Sequence, residues 1–170
     1  MLYLGSFSKT MLPTLRLGFC VAPPSLRQVL RKAKFVSDWF TALPLQGALA
    51  RFIDEGLFAR HVRRMRAIYL ARRDLITTLL ARDHADVLST APSMAGMHLA
   101  ATLRSGRVDH ARLISRHART FDVRVNNLYD FWFEGQPRAG VLIGFGVIPL
   151  EKIEEGLTRL RDCIDDIARP

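Results

Sequence analysis

From Leu57 to about Arg82 the chain carries an apolar pattern at helical spacing. Phe58, Val62, Met65, Tyr69, Ile76 and Leu79 recur at one- or two-turn intervals. A helix of that length needs packed neighbours along its stripe, and the sequence on its two sides has different texture. Before it come two short apolar runs, Leu2-Tyr3-Leu4, broken by Gly5, and Arg16 to Val21, stopped by Ala22-Pro23-Pro24; both read as strands. The diproline and Ser25 start a helix whose face is Leu26, Val29, Leu30 and Ala33, and a second helix runs from about Pro44 to Asp54, ending at Gly56.

Beyond Asp83 strands and helices alternate. Val87 to Ser89, Met97 to Leu103, Val123 to Asn126 and Val141 to Ile148 read as strands, and Asp109–Arg119 and Leu150–Ala168 as helices. The last helix has a clean stripe, Leu150, Ile153, Leu157, Leu160, Ile164 and Ile167, so one face packs against a sheet or helix. The expected fold class is therefore α/β, with the long helix joining an incomplete first unit, residues 1–69, to a more self-sufficient α+β unit, residues 70–170. The long helix also bears Arg60, Arg63, Arg64, Arg66, Arg72 and Arg73, which read as a solvated face.

Composition narrows the classes. A hydrophobic content of 49% with 24% charged residues fits a globular domain rather than a disordered one. The net charge of +9 is high, and arginine supplies 21 of the 25 basic residues. Such a charge is one route to nucleic acid, but the arginines are scattered, with no basic arm, zinc-finger spacing or RNA-binding aromatic signature. A general bias toward arginine is the simpler reading. Cys20 and Cys163 lie far apart, without metal-like spacing, as suits a reducing cytoplasm, and no metal site is expected. No apolar run reaches the ~18 residues of a membrane span, and no secretion signal is visible.

The chemistry concentrates near the start. Ser6-Phe7-Ser8-Lys9-Thr10, followed by Pro13-Thr14-Leu15-Arg16-Leu17-Gly18, sets one lysine among hydroxyls and a guanidinium between two apolar runs. A lysine that condenses with an aldehyde cofactor needs such company, because hydroxyls and an arginine hold a phosphate. Ser6 and Ser8 offer donors in a turn after a strand, and Arg16 can grip two phosphate oxygens at once.

This segment resembles the lysine segment of fold-type I, pyridoxal-phosphate-dependent aminotransferases, and most closely the aminotransferase-like domain of MocR-type (GntR-family) transcriptional regulators. Phe52 through Tyr69, Arg72-Arg73-Asp74, Ala95-Gly96-Met97-His98-Leu99 and Leu142-Ile143-Gly144-Phe145-Gly146 are similar to later landmarks of that domain. The resemblance implies the end of the large domain plus the α+β small domain. It implies Lys9 as the Schiff-base lysine of pyridoxal 5'-phosphate, with Ser6, Ser8 and Arg16 on the cofactor phosphate. His98 would face the active-site side of the small domain, near substrate, with Asn126, Asn127 and Tyr129 in a loop approaching the cleft.

The same resemblance implies an amine or amino-acid effector or substrate, a homodimer, a cytoplasmic location without membrane contact, and DNA binding through an N-terminal winged-helix domain outside these residues. Aminotransferases of this fold often hold the substrate carboxylate with an arginine in the late strand. Val141-Leu142-Ile143 offers none, Arg138 being the nearest. The family's pyridine-pairing aspartate, its stacking aromatic ring and most of its sheet lie upstream of the lysine. The chain is therefore expected to be a fragment, with strands 2–4 and 16–21 lacking partners and the cofactor held weakly. A fragment of a metabolic aminotransferase is the alternative, and a cofactor-free basic nucleic-acid-binding protein a third.

Overall fold

The computed structural model describes residues 1–93, 96–104 and 108–168. The chain divides into two compact units, Met1–Met65 and Arg66–Pro170.

In the first unit β1 (Tyr3–Ser6) and β2 (Gly18–Val21) pair antiparallel, Tyr3 opposite Val21 and Ser6 opposite Gly18. The two runs are thus each other's partners, which corrects the expectation that they lack one. The second strand starts at Gly18, not Arg16, because Arg16 takes a left-handed conformation, φ 51° and ψ 32°. Two glycines allow the close approach: a Cβ on Gly18 would lie 2.8 Å from the Gly5 carbonyl oxygen, and one on Gly5 would strike the Phe19 ring. Helices α1 (Pro24–Asp38) and α2 (Leu43–Asp54) follow. Prolines in their first turns pre-set φ where no intrahelical N–H bond is lost.

The end of α1 is abrupt. Trp39 adopts φ 64° and ψ −71° while the Phe40 N–H donates to the Asp38 carbonyl at 2.7 Å, a strained γ-turn, and the Phe35 and Trp39 rings stack at 5.4 Å. Neither helix buries a residue; Leu17 is the single buried side chain of the unit, and the apolar faces of both strands stay exposed as expected.

Helix α3 (Leu57–Asp83) begins in the first unit and buries Ile76, Leu79 and Leu80 in the second. There the sheet order is β3 (Leu88–Thr90), β4 (His98–Leu103), β6 (Gly140–Gly144), β5 (Asn126–Asn127), every pair antiparallel. Leu88, Leu99, Ala101, Val141 and Ile143 point from one face of the sheet into the core. Ile76, Leu79 and Leu80 of α3, Ile114 of α4 (Val108–His117), and Ile153, Leu157, Leu160 and Ile164 of α5 (Ile153–Ala168) meet them. The alternate residues Ser89, His98, Ala100, Thr102, Asn126 and Leu142 form the other face, and none belongs to the core.

Several boundaries differ from expectation for local reasons. The strand expected over Val123 to Asn126 pairs only from Asn126, since the Val123 N–H is held by the Ala118 carbonyl at 3.0 Å. The strand expected over Val141 to Ile148 leaves the ladder after Gly144, where the Phe145 N–H turns to the Met97 carbonyl. Short 3-10 turns at Ala118–Phe121 and Leu150–Lys152 take the residues expected to end α4 and to begin α5. Of the family landmarks, Ala95 lies outside the described residues.

Candidate functional site

The loop that joins β1 to β2 is closed at its neck. The Phe7 N–H donates to the Leu17 carbonyl at 3.0 Å, one step beyond the Ser6–Gly18 pair, so the ladder runs on into the loop. Phe7, Phe19, Tyr3 and Phe58 make a chain of ring contacts, Phe7 to Phe19 at 5.5 Å and Phe7 edge-on to Phe58 at 5.7 Å. These rings anchor the neck of the loop, and its polar residues lie beyond them.

Within the loop the backbone is tied to itself. The Met11 N–H returns to the Phe7 carbonyl at 2.8 Å, Thr10 Oγ1 reaches the same oxygen, and the Ser8 N–H donates to Ser6 Oγ at 3.2 Å. Lys9 sits in this turn, exposed. A 3-10 turn, Pro13–Leu15, brings the chain back, and the Arg16 N–H closes it on the Pro13 carbonyl. A non-glycine residue in the left-handed region is uncommon, and here it lies at the return of the loop. Ser6, Ser8, Lys9 and Arg16 thus share one closed loop. Neither the Lys9 ammonium nor the Arg16 guanidinium makes a hydrogen bond or ion pair among the described residues.

His98 belongs to the second unit, at the start of β4 on the sheet face turned from the core. It pairs with Gly144, where a Cβ would lie 3.3 Å from the imidazole ring; the glycine leaves room for the ring. Asn127 is buried and caps a 3-10 turn, Leu128–Phe131: its Oδ1 accepts from the Tyr129 N–H at 3.1 Å and its Nδ2 reaches Asp130. Tyr129 lies under the Arg112 guanidinium, 4.6 Å from the ring centroid. Asn126 is exposed, and Arg138, also exposed, stops short of β6, whose five residues include no cation.

One arginine that reads as solvated is not. Arg72 is half-buried, donates to the Phe145 and Gly146 carbonyls at 3.2 and 2.8 Å, and lies over the Tyr69 ring. Its place one turn before buried Ile76 is the signal that separates it from Arg63, Arg64 and Arg66. Cys163 is fully buried, which pushes its thiol pKa up, while Cys20 is exposed; both are free. Among the described residues no group of three or more His, Cys, Asp or Glu could hold a metal. No described helix is long and apolar enough to cross a membrane.

A family model for class I and II aminotransferases matches residues 1–121. The probable rhizopine catabolism regulatory protein MocR of Rhizobium meliloti is 36% identical over 162 residues, 95% of this chain and 32% of its own length. Aromatic-amino-acid aminotransferase 1 of Thermococcus litoralis is 28% identical over 165 residues, 97% of this chain and 39% of the relative. Among solved structures, the kynurenine aminotransferase of Pyrococcus horikoshii, determined with PMP, superposes with a TM-score of 0.86 at 25% identity, covering 99% of this chain and 41% of that one. The chain spans about a third of the length of the curated relatives it matches.

Proposed function

Because this chain belongs to the class I and II aminotransferase family, we propose that it is part of a pyridoxal-phosphate-binding, aminotransferase-like domain that senses an effector in a MocR/GntR-type transcriptional regulator. The observation that carries this reading is the closed loop that gathers Ser6, Ser8, Lys9 and Arg16 and leaves both cations without partners. The identity with the Rhizobium meliloti regulator, along nearly the whole chain, favours the regulator over a metabolic enzyme.

The donor set fits the cofactor. A phosphate dianion needs hydrogen-bond donors and positive charge, and the loop supplies two serine hydroxyls and a guanidinium with no competing carboxylate in the segment from Ser6 to Gly18. Arg16 would present two N–H groups to two phosphate oxygens, and Ser6 and Ser8 would donate from their hydroxyls. Bound pyridoxal phosphate supplies an aldehyde and an electron-accepting ring to whatever amine reaches it. Lys9 Nζ must lose its proton to act as a nucleophile, and it regains one when an incoming amine displaces it. The left-handed Arg16 and the Ser6–Ser8 hydrogen bond hold this loop in shape before any ligand arrives, which reduces the ordering cost of binding.

In the intact protein, exchange of an amine or amino acid at Lys9 would alter the arrangement of a homodimer and so its hold on DNA, in the cytoplasm, through a winged-helix domain outside these residues. His98 is proposed near the effector. The domain division at residue 69 is proposed as the junction between large-domain remnant and small domain.

The chain has only four lysines, Lys9, Lys32, Lys34 and Lys152, which makes the test direct. After equilibration with pyridoxal phosphate and reduction with borohydride, peptide mapping should find the cofactor on Lys9, and Lys9→Ala should remove it. Labelling of Lys32, Lys34 and Lys152 to the same extent as Lys9 would refute the assignment. A metabolic aminotransferase is the second reading, favoured by the likeness to the Thermococcus litoralis enzyme. The coding sequence upstream of Met1 separates the two: a winged-helix frame selects the regulator, and an aminotransferase N-terminal segment alone selects the enzyme.

A further inference from the structure

The charge of the chain is concentrated, not scattered. Met1–Met65 holds ten Lys and Arg against three Asp and Glu, a net +7 of the chain's +9, whereas Arg66–Pro170 holds fifteen against thirteen. Of the ten, only Lys34 with Asp38 and Arg51 with Glu55 are ion-paired. In the second unit Arg73, Arg82, Lys152, Arg159 and Arg161 all meet carboxylates.

The densest group lies on the first two turns of α3. Arg60, Arg63 and Arg64 are exposed, make no ion pair among the described residues, and fall within about 6 Å of helix rise. No acidic residue stands in the first turn of α3, nor in that of α1 or α2, although α4 opens with Asp109 and α5 with Glu154 and Glu155. Stability alone favours acids at a helix start and disfavours like charges one turn apart, as Arg60 and Arg64 are. The sequence breaks both rules in the same two turns, which marks a place kept for a polyanion.

We infer that Arg60, Arg63 and Arg64 grip phosphates of duplex DNA, adding a sequence-independent contact from this domain to that of the winged helix. The inference rests on the regulator reading above. Arginine is suited to it because its planar fork takes two phosphate oxygens, which a lysine cannot do. Such a contact would position the domain along the duplex without reading bases.

The test is fluorescence anisotropy of the full chain with a labelled duplex of arbitrary sequence, with salt raised from about 50 to about 200 mM. The triple variant Arg60→Gln, Arg63→Gln, Arg64→Gln should lose at least about tenfold in affinity and flatten the salt slope by roughly 2 to 3, near 0.9 for each phosphate released. A control triple of equal charge loss in the second unit, Arg116→Gln, Arg119→Gln, Arg124→Gln, should change affinity less than about twofold. Should circular dichroism show that the first triple has lost helix, the single variants take its place, each expected to flatten the slope by about 1.

An equal loss in both triples would reduce the effect to net charge and overturn the inference, as would absence of DNA binding by the unsubstituted chain. So would polyglutamate binding as tightly as DNA with the same dependence on these arginines, which would make the partner an acidic protein. Failure of the regulator reading shows elsewhere, in Lys9 labelling and in the upstream coding sequence, neither of which depends on these three residues.

Discussion

Arg72 shows how much a single side chain can organise. Two carbonyls just beyond the end of β6, those of Phe145 and Gly146, have left the sheet ladder, and its guanidinium supplies the donors. Replacing it with Met should destabilise the second unit by about 1.5–3 kcal/mol, the usual worth of hydrogen bonds to a charged group. Urea unfolding followed by circular dichroism would measure this, and a loss below about 0.5 kcal/mol would return Arg72 to the solvated face. The sequence could not place Arg72, because helical periodicity says which residues share a face but not which neighbour that face meets. Lys9 and its companions were legible for the opposite reason: their chemistry lies within eleven consecutive residues, from Ser6 to Arg16, and needs no tertiary partner to be recognised. His98 is intermediate. Its strand could be read, but the space that Gly144 leaves for its ring depends on a cross-strand register that one sequence does not reveal.

Among elements, α5 was the most legible, since its stripe at steps of three and four is the face that enters the core. The short strands were the least legible: β5 is two residues, and its extent is set by what β6 offers rather than by its own composition. Ion pairs then tie α5 to the turn that follows α3. Arg161 holds Asp86 with two bonds at 2.7 and 2.8 Å and also Asp165 within α5, while Arg82 joins Asp83 and Glu154. The Arg161 guanidinium keeps the Asp86 carboxyl below its ordinary range, and Arg82 does the same for Asp83. A carboxyl whose folded value is depressed stabilises the fold fully above its unfolded value, about 4, and loses that contribution as pH falls through the folded value. The midpoint of thermal unfolding should therefore stay level from about pH 7 to 5 and drop below about pH 4, with a shallower drop in Asp86→Asn. An identical acid profile in that variant would show that the pair contributes nothing. These groups are exposed, so high salt should weaken the effect.

For the whole molecule, the two units differ in what they bury. All but one of the buried apolar side chains named for the chain belong to Arg66–Pro170; Leu17 is the exception. Conformational order without burial has little to offset its entropy, so Met1–Met65 should open more readily than the rest. Limited proteolysis should leave a resistant fragment beginning near the middle of α3 and extending through α5. A resistant core confined to residues 1–60 would contradict this. The partition was visible in outline from the sequence, where the first unit has helices with apolar faces but no strands enough to cover them. The closing of β1 on β2 was not, because it depends on Gly5 and Gly18 letting two backbones approach.

The sheet edges carry a practical consequence. The four-stranded sheet ends in strands of three and two residues, β3 and β5, too short to recruit a foreign strand. The β1–β2 hairpin is bare along both outer edges among the described residues, and Tyr3, Leu4, Phe19 and Val21 on it are exposed. In a concentrated solution the chain should therefore self-associate by adding strands to that hairpin, and a purification that keeps it dispersed must shield those two edges first.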